Sequence, residues 1–359
     1  LAQPATETEF TLDTAAELAA EESGAVIRGR SPWYLAWRRL RRNYVAFAFL
    51  GLFILIVAAC IAAPLYAHHV AHSDQNSEHV VGTITVHGKK LDIVSQGGVL
   101  NGKLVASTPI GPQGFAAGGK YILGADQLGR DIAVRLLYGG RTSLFVGIVS
   151  SLICVAVATF LALLAGFYGG WLDFVITRFF DLFYAFPVIL LGIALGAALA
   201  INGIHWGPIK VNSGNIMIPT LVISYVLIPY VGRPLRGQVL SLRQKEFIEA
   251  AVAQGAGPLR IMFTELLPNI ASSILVFFTL IIANNIVLEA ALSFLGAGVQ
   301  PPTPSWGTLI SDGQGLIVTR PWFAVVPGLA IVLTVLALNV FGDGLRDALD
   351  PRAKVKIEH

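Results

Sequence analysis

Residues 249–268 read EAAVAQGAGPLRIMFTELLP and bring polar groups together in an otherwise apolar stretch of chain. Glu246, Glu249, Arg260 and Glu265 cluster there. Their chemistry suits docking rather than catalysis. Glu249 offers a charge-assisted partner for an arginine or lysine on another protein. Ala250 and Ala251 are small enough to let a helix approach a partner closely. Gly255, followed by Gly257-Pro258, allows a sharp turn between two helices. Leu267-Pro268 then opens the next apolar run. A polar helix–glycine–helix element has little to do in lipid and is well suited to a soluble partner. The plainer reading is an ordinary amphipathic loop between two membrane spans.

Other polar residues carry weaker signals. Asn284, Asn285 and Glu289 fall in or near an apolar run, where a charge at mid-bilayer costs about 2.5–3.5 kcal/mol. They should face protein or water. A pore-lining stripe and hydrogen bonding to a second membrane subunit are equally good readings. Arg178 and Asp181, at i,i+3, read as a structural ion pair. His68 and His72 could share a helix face and bind Zn²⁺ or Ni²⁺. The nearby Asp74, Asn76, Ser77 and Glu78 favour a wet membrane-exit segment instead, so no metal site is assigned. Gly114-Phe-Ala-Ala-Gly-Gly119-Lys120 imitates a phosphate loop, but Tyr121 replaces the Mg²⁺-binding Ser/Thr and no strand-to-helix context is apparent. Cys60 and Cys154 both lie in apolar runs and read as buried small residues. No Ser-His-Asp, Cys-His or paired-carboxylate arrangement suggests catalysis. The chain reads as a non-enzyme with no cofactor of its own.

The elements that must position these residues follow from composition. Of 359 residues, 55% are hydrophobic and 13% charged, against about 25% charged in soluble domains. Most of the surface must therefore meet lipid. A net charge of +3, scattered along the chain, does not suggest nucleic acid. Apolar runs predict six spans, at 44–66, 142–172, 182–201 (broken by Pro187), 216–231, 271–295 and 322–341. Four arginines precede the first, five basic residues lie within 232–270, and four more follow the sixth. The short loops 202–215 and 297–321 hold only Lys210 and Arg320. Both termini and the 232–270 loop are therefore expected on the cytoplasmic side. Segment 67–141, too long for the charge rule, should be extracytoplasmic. Within 67–123, TITVHGKKLDIV and VLNGKLVAS read as hairpins turning at His87-Gly88 and Asn101-Gly102. Residues 1–30 read as a solvated acidic tail rather than a cleavable signal. The expected organisation is a tail and amphipathic interface helix at 1–43, a first transmembrane helix at 44–66, and an extracytoplasmic insertion at 67–141. A core of five transmembrane helices follows at 142–342, carrying the 232–270 loop, and then a C-terminal tail at 343–359.

Four strings reach beyond this reading: YILGADQLGRDIAVRLLYGGRTSL, GGWLDFVITRFFDLFYAFP, LEAALSFLGAGVQPPTPSWG and FGDGLRDALDPR. With the 249–268 loop they resemble the C-type permease subunit of bacterial dipeptide and oligopeptide ABC importers, a family that also includes nickel importers. Glu289-Ala290-Ala291 repeats the Glu-Ala-Ala triplet but lacks the following glycine. Glu265 departs from the general importer pattern, which prefers Ile there. The resemblance implies an all-α, polytopic type I importer permease fold with six transmembrane helices and a small β-rich outer insertion. It implies ATPase coupling through Glu249, Ala250, Ala251, Gly255, Leu267 and Pro268. It also implies a homologous second permease, two cytoplasmic ATPases holding ATP and Mg²⁺, an external substrate-binding protein and residence in the bacterial plasma membrane. A peptide cargo is expected, with a nickel complex as the alternative. A secondary transporter or channel working alone is the alternative from another class.

Overall fold

The computed structural model describes residues 32–95, 97–100, 103–105, 107–206 and 209–349. The acidic tail, the Asn101-Gly102 turn and the last ten residues lie outside them. Helix α1 (Pro32–Arg42) leads into α2 (Tyr44–Ile61), capped by Asn43, whose side chain accepts from the Ala46 N–H at 3.0 Å. A short helix α3 (Ala63–Tyr66) and a wider π-type turn (Ala67–Ala71) carry the chain out of the bundle.

The insertion is built of short antiparallel pairs. β1 (Thr83–Val86) pairs with β2 (Lys89–Asp92), β3 (Val94–Ser95) with β6 (Thr108–Pro109), and β4 (Gly98–Leu100) with β5 (Lys103–Val105). His87 and Gly88 have φ of 49° and 76°. Positive φ at both central residues matches the twist of a tight hairpin. A small core of Ile93, Val94, Ile110, Tyr121 and Ala125 holds the insertion together.

Helix α4 (Ile132–Tyr168) has 37 residues, about 55 Å of rise, well beyond the roughly 30 Å of a hydrocarbon core. It begins ten residues before the expected span, inside the expected insertion 67–141. Arg135 and Arg141, ahead of the uncharged run, lie within the helix: Arg135 is ion-paired and Arg141 lies 5.5 Å from the Tyr138 ring centre. The third expected span, 182–201, falls on the last residues of α5 (Gly170–Tyr184) and on α6 (Val188–Asn202), two helices bent by 92° to each other. Pro187 sits at the break. A hairpin of β7 (Ile204–Trp206) and β8 (Ile209–Val211) follows.

Helix α7 (Met217–Arg243) runs through Pro229 and Pro234, twelve residues past the end expected from its apolar run. The loop region holds α8 (Glu246–Ala253), α9 (Pro258–Arg260) and a π-type turn (Ile261–Leu266) that leads straight into α10 (Leu267–Phe294). Helix α11 (Trp306–Gln314) was not foreseen within the outer loop. Its signal was local: the Ser305 hydroxyl accepts from the Thr308 N–H while Thr308 Oγ1 accepts from the Ser305 N–H, a reciprocal cap. Helix α12 (Trp322–Leu349) continues through the first residues of the expected tail. Among the described residues, five helices are long and apolar enough to cross a membrane, six if the bent pair is one span.

Helix α4 lies at the centre. Its buried side chains meet those of α5, α7 and α10 in the largest core cluster, where Phe180 and Leu235 are fully enclosed. A second cluster joins α2, α10, α11 and α12 around Trp306. Close approach depends on small residues along α4. A Cβ on Gly140 would lie 2.3 Å from Cys60 Sγ and 2.8 Å from the Trp306 ring, and one on Gly147 2.5 Å from Ile286.

Candidate functional site

Helix α8 ends in a complete Schellman motif. The Gly255 N–H donates to the Val252 carbonyl at 2.9 Å and the Ala256 N–H to the Ala251 carbonyl at 3.0 Å. Gly255 has φ of 81°, and nothing lies within 4 Å of where its Cβ would stand. Glycine is therefore needed for backbone conformation, not for space. Glu246 and Glu249 occupy the first turn, where the helix dipole favours negative charge.

One face of α8 is anchored. Ile248 is buried with Leu163, Val239, Ile261, Met262, Leu266 and Ile270, and Ala251, Ala256 and Leu267 pack on the same cluster. The opposite face is open: Glu249 and Ala250 are exposed, as are Phe247, Val252, Leu259 and Phe263. Pro268 is exposed in the first turn of α10. The loop is thus a short helix fixed to three other segments, presenting an acidic and apolar outer face.

The polar residues of α10 separate. Asn284 is exposed, whereas Asn285 and Glu289 are wholly buried. Asn285 Nδ2 donates to Ser150 Oγ at 2.7 Å and Ser151 Oγ at 2.8 Å. Glu289 Oε1 accepts from Ser293 Oγ at 2.6 Å. Ser293 Oγ in turn accepts from the Val299 N–H at 3.0 Å. Both side chains turn inward, to α4 and to the α10–α11 connection. Asn285 and Glu289 thus face protein, and Asn284 faces outward.

The outer string Gly124–Asp131, read from the sequence as an anchor of the outer loop rather than a substrate contact, is tied to α4 and α11. Asp126 pairs with Arg130 at 2.7 Å and with Arg135 at 3.7 Å. Both arginines reach Asp312 on α11 at 3.5 Å. Asp131 caps α4 by accepting from the Ala133 N–H at 2.9 Å and the Val134 N–H at 3.3 Å. Its other oxygen accepts from the Tyr121 N–H at 2.7 Å. Burial pushes the Asp131 carboxyl above its usual range, and these three N–H groups pull it back. Burial also raises Asp312, against the pull of Arg135 and Arg130. The Asp126/Arg130 spacing was visible in sequence; the link to Asp312, 182 residues away from Arg130, was not.

His68 and His72 are both exposed. A π-type turn carries the first, and the second leaves it with φ of 46°, so they do not share the regular helix face expected of them. Among the described residues no group of three or more His, Cys, Asp or Glu is placed to hold a metal. Residues 114–120 form successive turns.

Residues 158–355 match the family model of binding-protein-dependent transport system inner membrane components. Residues 31–79 match the N-terminal transmembrane domain of oligopeptide transport permease C. A glutathione transport system permease protein of Pectobacterium atrosepticum is 38% identical over 325 residues, covering 90% of this chain and 93% of that protein. Its Escherichia coli counterpart is 40% identical over 325 residues, covering 90% and 92%. A dipeptide transport system permease protein of Alkalihalophilus pseudofirmus is 37% identical over 324 residues, covering 90% and 91%. A solved inward-facing methionine ABC transporter structure is 19% identical and superposes with a TM-score of 0.49, over 60% of this chain and 96% of that one. These matches set aside a transporter or channel working alone, and the nucleotide chemistry belongs to a partner rather than to this chain. The chain belongs to the inner-membrane permease components of binding-protein-dependent transport systems, as a C-type permease subunit of the peptide and oligopeptide ABC importer family that works with separate ATPase and substrate-binding components.

Proposed function

We propose that this chain forms half of the translocation path of a bacterial short-peptide importer and that α8 is its coupling element to a cytoplasmic ATPase. The observation that carries the reading is the division of α8 into an anchored face, held by Ile248, and an open face with Glu249, Ala250 and Val252. A lever needs both: a rigid attachment to the spans and a free surface for the motor. The π-type turn and α10 continue directly from the loop, so a push on α8 passes into a spanning helix. ATP binding closes the paired ATPases, which carry α8 with them, and the spans rock between inward-open and outward-open. Only a partner that contacts α8 differently in its two states can shift that equilibrium.

The assembly in this reading has a homologous second permease, two ATPases holding ATP and Mg²⁺, and an external binding protein. The distribution of Lys and Arg supports cytoplasmic termini and a cytoplasmic α8. Relatives named for glutathione and dipeptide transport favour a short peptide over a nickel complex as cargo.

Ala250→Trp tests the coupling role, because the side chain is exposed and the bundle does not depend on it. The variant is expected to insert normally in the reconstituted importer. Cargo-stimulated ATP hydrolysis should fall roughly tenfold or more, as for loss of a close interface contact. Hydrolysis and transport at the unmodified rate would remove α8 from the coupling path.

A further inference from the structure

Several arginines at the α8 end of the bundle are matched by carboxylates. Arg178 lies 3.6 Å from Asp181, as its spacing suggested, and Asp181 also pairs with Arg233. Asp173 holds Arg236 through two contacts. Arg346, three residues before the end of α12, is different. Among the described residues no ion pair, hydrogen bond or ring contact holds its guanidinium. Asp343 and Asp347 flank it in sequence, yet neither lines the cleft that Arg346 borders.

That cleft, of about 370 Å³, lies between α7, α10 and α12. Helices α7 and α10 are the two that the α8 loop joins. The character of the cleft changes along its length. Arg346, Gln238, Ser272 and Ser273 supply donors at one end, with Leu349 beside them. Among the described residues, the side chains of Gln238, Ser272 and Ser273 have no hydrogen-bond partner either. Val276, Phe277 and Leu280 continue the wall along α10. Ser272 to Leu280 is about 12 Å of helix. The change falls where the apolar runs of the sequence stop. Ser272 is the second residue of the run that starts at 271, Arg346 lies past the run that ends at 341, and Gln238 belongs to the polar 232–270 loop. A polar end at the limit of the apolar runs and an apolar end inside them match a molecule with a charged head and a hydrocarbon chain. The cleft carries one arginine and no carboxylate, so a head of net negative charge is favoured over a zwitterionic one.

We propose that the α7–α10–α12 cleft is a binding site for an anionic phospholipid of the leaflet on the α8 side. The phosphate accepts from the Arg346 guanidinium in a charge-assisted contact, and from the Ser272 and Ser273 hydroxyls and the Gln238 amide. The upper part of one acyl chain lies along Val276, Phe277 and Leu280. A lipid held there touches both helices that the α8 loop joins. With α8 cytoplasmic, the leaflet is the inner one; the lipid preference itself does not rest on the peptide reading.

The test uses the importer with its ATPase, reconstituted in vesicles that mix phosphatidylcholine with phosphatidylglycerol. Photoreactive analogues of each lipid carry a diazirine near the top of one acyl chain, and peptide mass spectrometry reads where they attach. The phosphatidylglycerol analogue should label residues 276–280 roughly fivefold more than the phosphatidylcholine analogue, as for one arginine near a headgroup. Around Ile54 and Leu55 of α2, which are exposed and apolar, the two analogues should label alike. Arg346→Gln should reduce the preference at 276–280 to the level seen on α2, and Arg346→Lys should retain it. Arg346 is exposed, so copurification of the ATPase should be unchanged in both variants. Added inorganic phosphate should leave the labelling as it was. Equal labelling of 276–280 by the two analogues in the unmodified importer would make the cleft ordinary lipid-facing surface and end the proposal. Absence of label from both would mean that a partner subunit covers the cleft, with the same consequence. Loss of the preference on adding phosphate would assign the site to a free anion instead of a lipid.

Discussion

Glu289 shows how one side chain can be both costly and structural. It is fully buried, and one oxygen is held by Ser293 Oγ at 2.6 Å. Ser293 links it to the backbone of the α10–α11 connection. Glu289→Gln keeps the shape and the acceptor, and should change stability by less than about 1 kcal/mol. Glu289→Ala opens a cavity and strands the Ser293 hydroxyl, at a cost of roughly 2–4 kcal/mol. Thermal unfolding in detergent would check both, and equal midpoints for the two variants would contradict the contact. Asp131 is the stronger case. Asp131→Ala removes the cap of α4 and leaves the buried Tyr121 N–H unpaired, which should cost roughly 2–4 kcal/mol. A midpoint within experimental error of the unmodified protein would show that the cap does not hold the insertion to α4.

At the scale of the element, α8 depends on its stop. Gly255 at φ of 81° sits in a conformation that costs an L-residue roughly 1–2 kcal/mol, and a β-branched side chain is the worst fit. Gly255→Val should unwind or redirect the chain between α8 and α9 while leaving the spans intact. Transport is expected to be lost with membrane insertion unchanged; transport at the normal rate would mean that the turn is not a lever. The turn was legible beforehand because glycine and Gly-Pro punctuation act locally. The length of α7 was not, since its apolar run ends at Val231, ahead of Arg233 and Pro234. The helix continues because Pro229 is buried and its neighbours Ile228, Val231 and Leu235 are enclosed by α4 and α5. Packing outweighs what two prolines remove.

For the whole molecule, the small residues of α4 decide how closely the helices gather. Gly140 faces Cys60 of α2 and Trp306 of α11 at distances that no side chain could share. Gly140→Leu should therefore separate these elements and cost more than about 3 kcal/mol, as overpacking at its upper range. Limited proteolysis of the outer segment would report it: accelerated cleavage is expected, and an unchanged pattern would mean that α2 and α11 can shift freely.

The apolar runs, their flanking charges and the glycine turn are local properties, so the chain alone determined that it is a polytopic membrane protein with a polar elbow between two spans; that it is a permease came from the resemblance of its longer strings. Hydropathy counts residues along the chain and needs no knowledge of neighbours. Which way a residue points is different. Helix α10 is apolar around most of its circumference, so no periodic stripe in its own sequence marks an inward side. Only the packing against α4 turned Asn285 and Glu289 inward and left Asn284 open. Only the fold brought Asp181 to Arg233, across 52 positions of chain, and Arg130 to Asp312, across 182. Pairings of that range depend on helix rotation and crossing, which arise when the helices meet.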